Sequence, residues 1–142
     1  MRWIRSAVLY TALALGANAA AADTAALEAL EALREGSMKK LMFHAEPRTA
    51  SDAAFVDADG AERRLDEFEG KHVVLNFWAT WCAPCREEMP SLANLQAELG
   101  GDAFEVVTIA TGRNSPAGIR RFFEEEGVEG LPQFRDPKQA VA

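Results

Sequence analysis

The chain has 142 residues, 49% of them hydrophobic and 26% charged, a composition that suits one soluble domain and a length too short for two sizeable cores. Its 15 basic and 22 acidic side chains give a formal charge of −7, which argues against nucleic acid as a partner. It has only two cysteines, three positions apart.

The first stretch reads as something other than domain. Met1-Arg2-Trp3-Ile4-Arg5 is basic, Ser6 to Gly16 is apolar, and Ala17-Asn18-Ala19-Ala20-Ala21-Ala22 supplies small residues for cleavage. This is the pattern of a secretory signal peptide over residues 1–22. The apolar part is about half of the ~20 residues a spanning helix needs, so an uncleaved anchor is the weaker alternative, and no stable membrane insertion is expected after cleavage. No cysteine lies near the cleavage site to carry a lipid. Losing Arg2 and Arg5 takes the 15 basic side chains to 13 against 22 acidic ones, a charge of −9. Export would place the cysteines in an oxidising compartment, where a closed bridge is the resting expectation.

Residues 23–52 form an N-terminal helix and linker in this reading. Leu27, Leu30 and Leu33 repeat at helical spacing until Gly36, and Glu46-Pro47-Arg48-Thr49-Ala50-Ser51 has loop composition. The domain proper then occupies residues 53–142. Ala54-Phe55-Val56, the turn Asp57-Ala58-Asp59-Gly60, and Glu62-Arg63-Arg64-Leu65 predict a short hairpin. After Gly70-Lys71, His72 to Ala79 is nearly continuous in apolar character, which predicts a strand covered on both faces. A helix follows from Pro84, with Met89, Leu92, Leu95, Gln96 and Leu99 on one face, a bend at Pro90, and Gly100-Gly101 as the stop. Phe104 to Ala110 is the next buried strand, completing a βαβ unit. Ser115-Pro116 caps a further helix that turns Ile119, Phe122 and Phe123 inward and closes at Gly127. Asp136-Pro137 reads as the cap of one more helix.

The cysteines stand in Trp81-Cys82-Ala83-Pro84-Cys85, where the strand passes into the helix. A helix N-terminus offers unpaired N–H groups and roughly half a unit of positive charge, so a thiol held there is stabilised as thiolate, the form that attacks disulfides. One helical turn later the second sulfur comes within bonding reach of the first. A zinc site would need further ligands, and His44 and His72 are far from the motif and from each other. Haem attachment would need His at position 86, which is Arg. A purely structural bridge closing so short a loop would remove little chain entropy. Redox exchange without metal or cofactor is the reading that remains.

The run Val74-Leu75-Asn76-Phe77-Trp78-Ala79-Thr80-Trp81-Cys82-Ala83-Pro84-Cys85-Arg86-Glu87-Glu88-Met89-Pro90, with the preceding hairpin and Leu65 to Lys71, resembles the exported TlpA/ResA-like thiol-disulfide oxidoreductases of the thioredoxin superfamily. The resemblance implies an α/β thioredoxin-like three-layer fold, a central sheet with flanking helices. It implies Cys82 as the exposed nucleophile, Cys85 as the resolving thiol, and Trp81, Ala83, Pro84 and Asn76 around them. It also implies a periplasmic reductant serving disulfide-containing envelope proteins, such as apocytochrome c or copper-site assembly factors, and fed by a membrane thiol reductant. Thioredoxin has a buried acid six positions before the first cysteine; here that position is Asn76, so Glu88 becomes the candidate proton carrier, provided that it is partly buried. The resemblance further implies a cis-proline strand, a partner strand and a final helix beyond position 137, and Pro132 comes too early to be that proline. The expectation is therefore a domain lacking its final β-hairpin and helix, a C-terminally truncated member in which Val73 to Trp78 forms an open apolar edge. A non-catalytic remnant or binding module is the alternative. A peroxiredoxin-like peroxidase is a third, disfavoured because Thr80 stands two rather than three residues before Cys82 and no Pro precedes it in place.

Overall fold

The computed structural model describes residues 25–44 and 48–142. The leader expected over residues 1–22 and part of the following loop lie outside the described residues. The chain divides into two compact units, Met1–Arg48 and Thr49–Ala142. In the first, α1 covers residues 25–32 and a 3-10 turn covers Gly36–Lys40, with the Arg34 side chain donating to the Lys39 carbonyl at 2.7 Å. Leu27, Leu30 and Leu33 are exposed.

The second unit is built on one mixed five-stranded sheet: β1 (Phe55–Val56), β2 (Glu62–Arg63), β3 (His72–Trp78), β4 (Phe104–Thr111) and β5 (Phe134–Asp136), in the order β2-β1-β5-β4-β3. The expected hairpin forms, with Phe55 opposite Arg63. Strand β3 runs parallel to β4 from His72 beside Phe104 to Trp78 beside Ala110, and α2 (Ala83–Leu99) crosses between them. Helix α3 (Pro116–Glu126) makes the second crossover, from β4 to the parallel β5. It begins where the sequence places it, the Ser115 side chain accepting from the Gly118 N–H, and ends at Gly127, whose left-handed φ of +62° suits a residue without Cβ.

Two apolar clusters fill the two sides of the sheet. Trp78, Val106 and Ala110 pack with Met89 of α2 and with Ile119, Phe122 and Phe123 of α3, while Val107 and Ile109 pack with Phe55, Phe68 and Phe134. Central β4 is buried on both faces. Strand β3 is not, which corrects the sequence expectation. It lies at the sheet edge, where the open apolar edge over Val73 to Trp78 is expected, and Val73, Leu75 and Phe77, alternating away from the helices, are each 37% exposed. An apolar run reports propensity for burial but carries no record of which strands pair beside it.

Two further expectations are corrected. Leu99 belongs to the apolar stripe by spacing yet is exposed, because it lies in the last turn of α2. No helix starts at Asp136-Pro137. Residues 134–136 form β5, paired with β4 on one side and β1 on the other, and a turn follows at 137–138. Asp136 does serve as the backbone acceptor its identity promised: its buried carboxylate takes the N–H groups of Ala140 (3.0 Å) and Val141 (2.8 Å). An aspartate before proline signals a capped turn of the chain, and ladder bonds from β4 decided which kind.

Candidate active site

At the carboxyl end of β3 the chain leaves the sheet through Ala79, Thr80 and Trp81 and enters α2 at Cys82. The Cys82 N–H donates to the Ala79 carbonyl at 3.0 Å, closing a four-residue turn. Trp81, at its third position, is 74% exposed. Cys82 is the N-cap of α2, with extended φ and ψ of −89° and 103°, and its carbonyl accepts the Arg86 N–H at 3.2 Å. Ala83 and Pro84 make the exposed first turn, where a proline forfeits no helical bond. One turn on, Cys85 is half-buried and packs on the cluster around Trp78 and Met89.

The two sulfurs are joined, with Cα atoms 5.3 Å apart, and no free cysteine exists among the described residues. Cys82, like Cys85, is half-buried, and it is flanked by the exposed Trp81, Ala83 and Pro84, whereas Cys85 lies against the core. Among the described residues no group of three or more His, Cys, Asp or Glu side chains is placed to hold a metal ion.

Asn76 lies on the helix-facing side of β3, half-buried, and its Oδ1 is buried without a hydrogen-bond partner among the described residues. Glu88 is exposed on α2. The partial burial that a proton carrier there requires is therefore absent, because the inward position of that turn is taken by Met89, which is fully buried. Arg86, next to Cys85, is tied instead to α3: its guanidinium bonds the Glu126 carboxylate, lies 3.6 Å from that of Glu125, and sits 5.2 Å over the Phe122 ring.

Asn114, in the loop between β4 and α3, has no part in the sequence reading, in which the neighbouring Ser115-Pro116 marks a helix start. Its Oδ1 accepts both the Thr80 N–H (2.9 Å) and the Thr80 hydroxyl (3.0 Å), and its Nδ2 donates to the Thr111 carbonyl (2.7 Å). Thr80 and Asn114 are 34 positions apart, so no local pattern joins them.

The model of the AhpC/TSA family matches residues 47–142. The thiol-disulfide oxidoreductase ResA of Geobacillus thermodenitrificans is 36% identical over 80 residues, which are 56% of this chain and 45% of that protein. The thioredoxin-like protein YneN of Bacillus subtilis is 38% identical over 85 residues, 59% of this chain and 50% of that one. This chain therefore spans about half the length of the curated relatives it matches. Among solved structures, a secreted Mycobacterium tuberculosis disulfide oxidoreductase homologous to E. coli DsbE is similar at a TM-score of 0.54 and 27% identity, covering 63% of this chain and 64% of that one.

Proposed function

The chain belongs to the AhpC/TSA family, as a ResA-like member of the thioredoxin superfamily, and on that premise we propose that it exchanges thiols for disulfides through Cys82 and Cys85. The observation that carries this reading is the bonded pair closing the first turn of α2 at the end of a sheet strand. In the reduced protein the Cys82 thiolate attacks one sulfur of a partner's disulfide. A Cys82–partner bond forms, the partner's S–S bond breaks, and the departing sulfur leaves as thiolate and takes a proton from water. The Cys85 thiolate then attacks Cys82, expels the partner's second thiol and restores the internal bridge, so that two electrons have passed to the partner. A thiol reductant must then reopen the bridge. An exported protein would receive it from a membrane thiol reductant.

The substrates we assign are disulfides of cell-envelope proteins, with apocytochrome c and copper-site assembly factors as the expected classes, and the location is extracytoplasmic. The secreted nature of the M. tuberculosis neighbour and the basic, apolar and small-residue order of positions 1–22 support that location. No helix among the described residues is long and apolar enough to cross a membrane. Insulin reduction driven by dithiothreitol tests the exchange: the native chain accelerates it, Cys82→Ser falls to background, and Cys85→Ser accumulates a mixed disulfide. Turnover by Cys82→Ser would overturn the assignment.

The open β3 edge favours a second reading, a non-catalytic binding module. A cooperative melt accompanied by turnover argues against it.

A further inference from the structure

We propose that Asn114 is a positioning residue for the dithiol, holding the turn that carries Cys82 in place once the disulfide has opened; this rests on the exchange reading above. Asn114 is 7% exposed, and its side chain joins the ends of neighbouring parallel strands: two bonds cross to Thr80 beyond β3, and the third holds it to Thr111 at the end of its own strand, β4. Its orientation follows from chemistry. A backbone N–H at Thr80 can only donate, so it faces the amide oxygen, and the Thr111 carbonyl can only accept, so it faces the amide nitrogen. The same oxygen takes both Thr80 donors, which fixes the second residue of the Ala79–Cys82 turn in backbone and side chain together. Thr111 is the last residue of β4, and the Gly112 N–H beside it donates to the Asp136 carbonyl at 2.9 Å. The clip is thus rooted in the sheet rather than in a free loop.

In the oxidised protein the Cys82–Cys85 bond ties the Cys82 side chain to α2, while its backbone is held by the Arg86 N–H on its carbonyl and by its own N–H on the Ala79 carbonyl. Reduction removes that bond, and Cys82 makes no side-chain capping bond of its own. The orientation of Cys82 at the helix start then rests on its backbone, and the turn before it, closed by the Cys82 N–H on the Ala79 carbonyl, is anchored at Thr80 by Asn114. Because the helix terminus stabilises thiolate only within its first turn, a turn that drifts lets the thiolate population fall. The reduced form loses stabilisation relative to the disulfide, so the pair also becomes more reducing.

The test is the pH profile of iodoacetamide alkylation of the fully reduced 142-residue chain, with Cys85→Ser as the common background so that only Cys82 reacts. Asn114→Ala is expected to move the profile to higher pH and slow alkylation at pH 7 by about tenfold, the equivalent of one pKa unit. Thr80→Val, which deletes the hydroxyl and keeps the N–H, is expected to slow it by about threefold, and Thr80→Ser, which keeps both donors, to match the parent. Should Asn114→Ala fail to melt cooperatively, Thr80→Val against Thr80→Ser decides. A Thr80→Val profile that coincides with the parent, or a folded Asn114→Ala protein with an unshifted profile, overturns the proposal. If instead the parent's Cys82 reacts no faster than a free cysteine, the exchange reading itself fails.

Discussion

Cys82 occupies a position where serine, aspartate or asparagine usually offers an oxygen to the helix, and it offers none. No side-chain oxygen at this position takes the capping donors of α2, which is what thiolate chemistry at this residue needs. Oxygen and sulfur compete for the same N–H groups, and a residue that caps well would shield them. A carboxylate far from the dithiol illustrates the reverse arrangement. Glu67 accepts the Arg64 N–H at 2.7 Å and the Arg63 Nε at 2.6 Å, and these bonds, that of the Arg64 backbone foremost, hold its carboxyl below the usual glutamate range. A folded value below the unfolded one means stability that is present above the ordinary carboxylate pKa and lost as pH falls through the folded value. Carboxyl-detected NMR titration should find Glu67 below the ordinary glutamate value, and Glu67→Gln should flatten the acid-side loss of stability. A midpoint at or above that value would contradict the bonding.

At the scale of elements, α3 is the piece whose every boundary has a local cause. Ser115 caps it, Pro116 opens it with φ already helical, and Gly127 closes it in the left-handed region. Replacing Ser115 with Ala should cost about 1 kcal/mol, seen as a lower Tm with the alkylation profile unchanged; an unmoved Tm would mean that the cap contributes nothing. Helix α2 is held differently. Its N-terminal turn leans on α3 through Arg86, where the ion pair with Glu126 and the contact over Phe122 act on one guanidinium. The dithiol turn is thereby fixed from both sides, by Asn114 before Cys82 and by Arg86 after Cys85.

Across the whole second unit, the sheet is closed against α2 and α3 on one face and partly bare on the other at β3. Seven residues, His72–Trp78, pair only with β4 among the described residues, and none of them is a proline or a lysine that would discourage another strand. The exposed alternating Val73, Leu75 and Phe77 add an apolar surface to that edge. The protein should therefore associate with rising concentration, and Leu75→Lys should reduce the association measured by light scattering. Scattering that is unaltered by the lysine would place the sticky surface elsewhere.

The amino-acid order by itself determined what depends on near neighbours: the hairpin around Asp57 to Gly60, the cap and stop of α3, the βαβ unit, and a cysteine pair one helical turn apart. These are signals of propensity, periodicity and short-range hydrogen bonding, and they act over a few residues. The exposure of Glu88, the strand at Phe134–Asp136 and the Asn114 clip on Thr80 were decided only in three dimensions. Each depends on which element lies beside which, and a pairing across 34 residues leaves no periodic trace along the chain.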